Sequence, residues 1–299
     1  MNRTASVSKT NQTMPLADGR TLGFAEYGSA EGNVLIYCQG YPGTRLEAEA
    51  LDEYGRQAGV RVISLDRPGM GLSSFESNRS FLEWPDDLIV LTDSLQIKRF
   101  AIVGVSGGSP YALACAYRIP ERLIACGIVS GMGPIKLGAT GMSLSNRLIF
   151  FLARWFPWLL ALMLRSMSRS LQNEEKAKKT MTKTMQRMVK PDRDALLALD
   201  PQASTAASTR ETFRQGVKGA VYEGGLYGRN WGFRLEDIQF QPLYLWHGEL
   251  DKNVPVSMAR AVACKLANCK ATYYSNDGHI SVPLNHKEEI VSTLFSSLT

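Results

Sequence analysis

Histidine is scarce in this chain: 299 residues contain only three, His247, His279 and His286. Any chemistry that needs an imidazole base must draw on one of them. The five cysteines include no C-x-x-C pair, which argues against a zinc ribbon or a redox dithiol, and no metal site is expected. Cys38, Cys115 and Cys126 fall in segments that read as buried strands or helix, so they are expected as small apolar core residues. Their odd total makes a disulfide framework a poor fit, and a reducing, cytoplasmic setting is expected. Internal repeats and low-complexity tracts are absent. Residues 1–13 are polar, lack the apolar centre of a signal peptide and read as a loose arm. No apolar run approaches the roughly 20 residues of a membrane span, since residues 148–164 are interrupted by Arg154 and Pro157. The formal charge of +6 is modest, and nine Lys and Arg fall within residues 165–193. With no recognised nucleic-acid module beside it, that charge reads as a solvated helical face, and nucleic-acid binding is not expected.

What is present is an ordinary globular composition, 44% hydrophobic and 21% charged. Residues 21–27 alternate after a turn signal at Asp18-Gly19 and predict an early hairpin strand. A continuous apolar run at 34–38 predicts a strand buried on both faces, and further strands are predicted at 60–65, 101–105 and 123–130. Helices are predicted around 45–58 and 80–97 and behind Pro110. After residue 235 the pattern resumes with strands at 243–247 and 271–274 and helices at 256–267 and 286–298. The expected fold class is therefore α/β, a mostly parallel central sheet with helices on both faces. Residues 1–133 and 236–299 would form the core, and 134–235 an inserted helical cap over the carboxyl ends of the strands. Within the insert, two helices joined at Pro157 are expected. Their apolar surface is expected mostly to pack on the core, with some lining a substrate tunnel, and a membrane-surface role is the alternative.

Gly104-Val105-Ser106-Gly107-Gly108 joins an apolar strand to a helix that opens at Pro110. This is the setting of a nucleophile elbow, where a strained turn pushes a serine hydroxyl clear of both elements. Gly104 and Gly108 sit where a Cβ would collide with neighbouring backbone. Such a serine needs a base and an acid that orients the base. Asp251 and His279 both lie in loops after predicted strands, on the side of the sheet where the elbow opens, in the chain order serine, acid, histidine. His247 precedes the acid and reads as structural. Glu249 is the rival acid, Asp277 lies too near His279 in sequence to orient it, and His286 reads as a surface residue. Ser106, Asp251 and His279 are the expected triad.

With Gly40-Tyr41-Pro42-Gly43, Asp66-Arg67-Pro68-Gly69-Met70-Gly71, the elbow, His247-Gly248-Glu249-Leu250-Asp251 and Gly278-His279, the chain resembles the cap-bearing members of the α/β-hydrolase superfamily. The resemblance implies a serine hydrolase acting on an ester, thioester or lactone of a hydrophobic small molecule, with no cofactor. It also implies an oxyanion hole built from the backbone N–H groups of Tyr41 and Gly107. Similar enzymes usually carry His-Gly-x-Pro where this chain has Gln39-Gly-Tyr-Pro42, so Gln39 is expected to support the loop differently or to reach the substrate. Gln39, Phe151 and Trp155 are the expected pocket residues. Related proteins also cleave amides and C–C bonds, and some serve as ligand receptors or biosynthetic cyclases and isomerases. Those that open epoxides or haloalkanes place Asp where this chain has Ser106. Stable membrane insertion is not expected, and a homodimer is left open.

Overall fold

The computed structural model describes residues 9–198 and 204–298. Among them, eight strands form one sheet: β1 (Lys9–Pro15), β2 (Thr21–Gly28), β3 (Asn33–Cys38), β4 (Val60–Leu65), β5 (Phe100–Val105), β6 (Leu123–Val129), β7 (Leu243–Gly248) and β8 (Lys270–Tyr274). Their order across the sheet is β1-β2-β4-β3-β5-β6-β7-β8. The pairs β1–β2 and β2–β4 are antiparallel and the rest are parallel.

The inner strands are mostly apolar because successive side chains point alternately into two cores. On β3, Ile36 and Cys38 point into one core while Leu35 and Tyr37 point into the other. On β5 the same division separates Phe100 and Ile102 from Ala101, Val103 and Val105. Helices α1 (Asp52–Ala58), α2 (Trp84–Ser94) and α3 (Ser109–Arg118) belong to the first half of the chain. The helix expected over 45–58 is divided, a tight 3-10 turn at Arg45–Leu51 preceding α1.

The loose arm expected at the N-terminus is corrected for residues 9–13, which belong to β1; residues 1–8 lie outside the described residues. The strand was concealed because it is an edge strand with no apolar face. Polar contacts hold it alongside Met14, which packs on the core: Gln12 Nε2 donates to Glu26 Oε1 at 2.8 Å, and Arg45 Nε donates to the Thr10 carbonyl at 2.6 Å.

Between β6 and β7 the described residues form α4 (Leu144–Trp155), α5 (Pro157–Gln172), α6 (Glu174–Arg187), α7 (Lys190–Ala198), α8 (Ser204–Thr212) and α9 (Lys218–Tyr227). Pro157 is the first residue of α5, and Phe156 before it leaves the helical region at φ −134°, ψ 57°, as a residue preceding proline is driven to do. The expectation that most of 148–164 packs on the body is corrected. Leu152, Ala153, Leu160 and Leu164 are buried with Met70, Phe213, Val217 and Ala220. The larger set, including Leu148, Phe151, Trp155, Trp158 and Leu162, faces solvent, because each helix turns only one stripe inward. Helices α10 (Val256–Lys265), α11 (Ser281–Asn285) and α12 (Lys287–Phe295) complete the chain.

One buried cation ties three distant segments together. The Arg45 guanidinium meets Asp66 Oδ2 at 2.6 Å, Glu211 of α8 at 2.8 Å and Asn11 Oδ1 of β1 at 2.5 Å. Asp66 is fully buried. Removing the cation strands its carboxylate in a dry site, so Arg45→Met is expected to lower the unfolding free energy by about 3–5 kcal/mol. Urea titration checks this, and an unshifted midpoint would deny the network that role.

Candidate active site

Ser106 stands directly after β5 at φ +52°, in the left-handed region that a residue with a Cβ seldom adopts. Two glycines make the turn feasible. A Cβ on Gly108 would lie 2.0 Å from the Cys38 carbonyl oxygen, and one on Gly104 would lie 2.6 Å from the Gly108 carbonyl oxygen. The Ser106 carbonyl accepts from Met132 N and from Ser109 Oγ, both at 3.0 Å, which pins the strained residue from behind.

The sheet order brings the loop after β3 alongside. From β3 the chain moves to β4 on one side and then returns to β5 on the other, so the crevice between β3 and β5 is the switch point of the sheet. A Cβ on Gly107 would lie 3.1 Å from Tyr41 N. Among the described residues neither the Tyr41 nor the Gly107 N–H donates to a protein acceptor. Arg67 aims the first of them: its Nη1 donates to the Gln39 carbonyl at 2.6 Å and its Nη2 to the Gly40 carbonyl at 2.5 Å. Across a planar trans peptide, holding the Gly40 carbonyl to one side turns the Tyr41 N–H to the other.

Arg67 in turn meets Glu223 of α9 at 3.0 Å, and Tyr227 Oη lies 2.7 Å from both Glu223 Oε1 and the Gly107 carbonyl. Arg79 stands 3.7 Å from the same carboxylate and donates to Tyr111 Oη at 3.0 Å. Burial works against the charge of Arg67, but Glu223 outweighs it and holds the guanidinium protonated. Two buried guanidiniums thus share one carboxylate beneath this loop.

His279, in the loop between β8 and α11, brings Nε2 to 2.9 Å from Ser106 Oγ and Nδ1 to 2.7 Å from Asp251 Oδ2. Asp251 Oδ1 accepts from the N–H groups of Asn253 and Val254 at 2.7 and 2.8 Å, which fixes the carboxylate plane. Burial presses the His279 pKa down, but the charge and hydrogen bond of Asp251, helped by Asp192 and Glu47, outweigh it and raise the value above 6.5. His247 is buried, and its Nε2 lies 2.9 Å from the Val254 carbonyl and 3.3 Å from Asp251 Oδ2. It braces the acid's loop, and burial lowers its pKa. Glu249 is engaged by Arg260 at 2.6 Å, away from His279. His286, expected at the surface, is partly exposed, with its ring stacked 3.7 Å from that of Tyr274 and its Nε2 2.9 Å from Asp277.

Two carboxylates near the site carry no motif. Asp192, buried on α7, accepts from the backbone N–H groups of His279, Ile280 and Ser281 at 3.0, 2.8 and 2.9 Å. Glu47 accepts from Gly40 N at 3.0 Å and from Tyr37 Oη at 3.0 Å. Sequence offers little signal for Asp192, which lies 87 residues from the loop it holds.

Ser106 and His279 open on a cavity of about 370 Å³, walled by Pro42, Leu51, Leu196, Ile280, Pro283 and Leu284; among the described residues that line it, Glu47 is the one acidic side chain and there is no Lys or Arg. The expected pocket residues are corrected. Gln39 is buried, donating to the Leu65 carbonyl at 2.9 Å and accepting from Ser64 Oγ at 3.3 Å, so it supports the loop and does not reach the cavity. Phe151 and Trp155 lie on the outer stripe of α4.

A family model for the alpha/beta hydrolase fold matches residues 33–285. The chain belongs to the alpha/beta hydrolase fold family. It is 32% identical over 108 residues to an epoxide hydrolase from Caballeronia sordidicola, covering 35% of this chain and 32% of that one. The matches reach between 31% and 46% of the length of three curated relatives. Among solved structures, a hydrolase from Pseudomonas aeruginosa superposes with a TM-score of 0.65 at 18% identity, covering 98% of this chain and 99% of that one. An esterase from Exiguobacterium antarcticum gives 0.64 at 16% identity, over 96% and 99%. The hydrolase fold is thus common to this chain and those structures. Among the described residues no helix is long and apolar enough to cross a membrane.

Asp192→Ala deprives three backbone N–H groups of a charged acceptor, a loss of about 1–3 kcal/mol of local stability. Hydrogen exchange followed by mass spectrometry is expected to show faster exchange at 279–281 with β5 unchanged. Equal protection in both proteins would deny Asp192 its hold on the loop.

Proposed function

We propose that this hydrolase-fold protein is a serine hydrolase that cleaves an ester, thioester or lactone of a hydrophobic small molecule through an acyl-serine intermediate. The observation that carries the reading is the alignment of Ser106 Oγ, His279 Nε2 and Nδ1, and Asp251 Oδ2 at 2.9 and 2.7 Å. Ser106 Oγ attacks the carbonyl carbon while His279 Nε2 takes its proton, and the carbonyl electron pair moves onto oxygen. Asp251 stays ionised and stabilises the imidazolium. The oxyanion accepts from the Tyr41 and Gly107 N–H groups, each worth about 3 kcal/mol in such sites. The buried guanidiniums behind that loop favour the same developing charge. Collapse expels the alcohol or thiol with the proton from His279, and a water molecule activated by His279 then releases the acid.

The cavity supports an apolar acyl or alcohol group. Glu47 in its wall repels an anionic substrate and likewise the carboxylate product, which favours release. The epoxide-hydrolase relative suggests a different substrate, but the chemistry does not carry over. A serine that opened an epoxide would be left as an ether, with no carbonyl for a second water to attack. Ester, thioester and lactone carbonyls return the free serine.

Ser106→Ala is expected to lower kcat for a p-nitrophenyl ester by on the order of 10⁴-fold or more and to abolish labelling by a fluorophosphonate. A variant that retains the wild-type rate would overturn the mechanism. His279 must be neutral to act as a base, and its pKa lies above 6.5. The value of kcat/KM should therefore fall as pH drops through that raised value, giving an acidic limb above pH 6.5. A flat profile between about pH 5 and 8 would exclude His279 as the base.

A further inference from the structure

We propose that the outer face of the α4–α5 hairpin docks on a membrane leaflet that carries anionic lipid. This rests on the surface of the insertion and is independent of the chemistry at Ser106. Leu148, Phe151 and Trp155 follow one another at spacings of three and four along α4, and Trp158, Leu159 and Leu162 occupy the first two turns of α5. All six are exposed, Trp155 to 62% and Trp158 to 63%. The Phe151 and Phe156 rings lie 5.9 Å apart and join the two stripes into one patch. A soluble monomer seldom leaves so much contiguous apolar surface in water. The stripe is not needed to pack the insertion, because Leu152, Ala153, Leu160 and Leu164 already do so from the opposite side.

Charge identifies the occupant. No Asp or Glu occurs anywhere in the 52 residues from 122 to 173, although the chain holds 28. Within that interval Arg147, Arg154, Arg165 and Arg169 are exposed, and among the described residues none of the four forms an ion pair. The Arg154 guanidinium lies 4.7 Å from the centre of the Trp155 ring. Aromatic rings and arginines side by side suit the headgroup level of a bilayer, where the rings enter the acyl boundary and the cations meet lipid phosphates and carboxylates. A second copy of the chain would instead set arginine against arginine, with no acidic partner on the face. Neither helix is long enough to cross a bilayer, α5 having 16 residues, so the hairpin adsorbs in the interface and does not span.

The test uses the full chain with vesicles of phosphatidylcholine alone or mixed with phosphatidylserine. Sedimentation should carry the wild-type protein down with the mixed vesicles, with a blue shift in tryptophan emission, and added salt should weaken the binding. The Trp158→Ser, Leu162→Ser double variant should lose vesicle partitioning by about tenfold or more while hydrolysing a soluble p-nitrophenyl ester at the wild-type rate. Arg165→Gln with Arg169→Gln should weaken binding to the mixed vesicles. Absence of wild-type binding to phosphatidylserine vesicles, or equal partitioning of wild type and the tryptophan–leucine variant, would overturn the proposal. So would a dimer by light scattering that the same double variant dissolves, with no vesicle binding, since the face would then be a self-association surface.

Discussion

The approach of Gly108 to the Cys38 carbonyl is the constraint on which the rest of the site depends. Cys38 ends β3 and Gly108 lies in the turn after β5, the parallel neighbour of β3, with Cys38 opposite Gly104, and the elbow must turn into a helix in that space. A Cβ on Gly108 would lie 2.0 Å from the Cys38 oxygen, so the turn closes only because none is there. That tight closure drives Ser106 to a positive φ, a conformation that costs about 1–3 kcal/mol. The bonds from Met132 and Ser109 to its carbonyl offset part of the cost. The same closeness brings Gly107 against the Tyr41 backbone, where an added Cβ would lie 3.1 Å from Tyr41 N.

The helical insertion belongs to the site as much as to the surface. Each half of the constellation is held by a carboxylate from it. Asp192 on α7 gathers three N–H groups of the His279 loop, and Glu223 on α9 braces Arg67, which holds the carbonyls of the Tyr41 loop. Both acids are buried, where a carboxylate is costly unless it is fully hydrogen-bonded or paired. Each therefore fixes geometry on both sides of the contact. The insertion and the loops beneath it are coupled through charge as well as through apolar packing.

Helix α4 shows how one amphipathic element serves two surroundings. Its inner side chain Phe150 packs between Tyr41 and Tyr227, with ring centroids 6.3 and 5.7 Å away, while Phe151 and Trp155 face out. An apolar helix usually buries its apolar side chains, which is why the sequence suggested packing for most of residues 148–164. The helix has apolar residues around more of its circumference than the body can cover. The remainder stays exposed, in an interval free of acidic residues.

Local pattern was enough for much of this protein. Short, mostly apolar segments broken by glycine- and proline-rich turns reported the strands, because a strand covered on both faces is apolar at most positions. The G-x-S-x-G turn and the chain order of Ser106, Asp251 and His279 pointed to the constellation, because strand-end loops of a parallel sheet emerge on one side. What the sequence withheld were partners whose importance comes only from where the fold sends them. Strand β1 has no apolar face, Asp192 and Glu223 lie in the insertion far from the loops they hold, and Gln39 turned inward to Leu65 and Ser64, away from the cavity. Periodicity registers how a residue meets its own element, whereas these contacts join segments distant along the chain, and only tertiary packing decides which polar groups must satisfy one another.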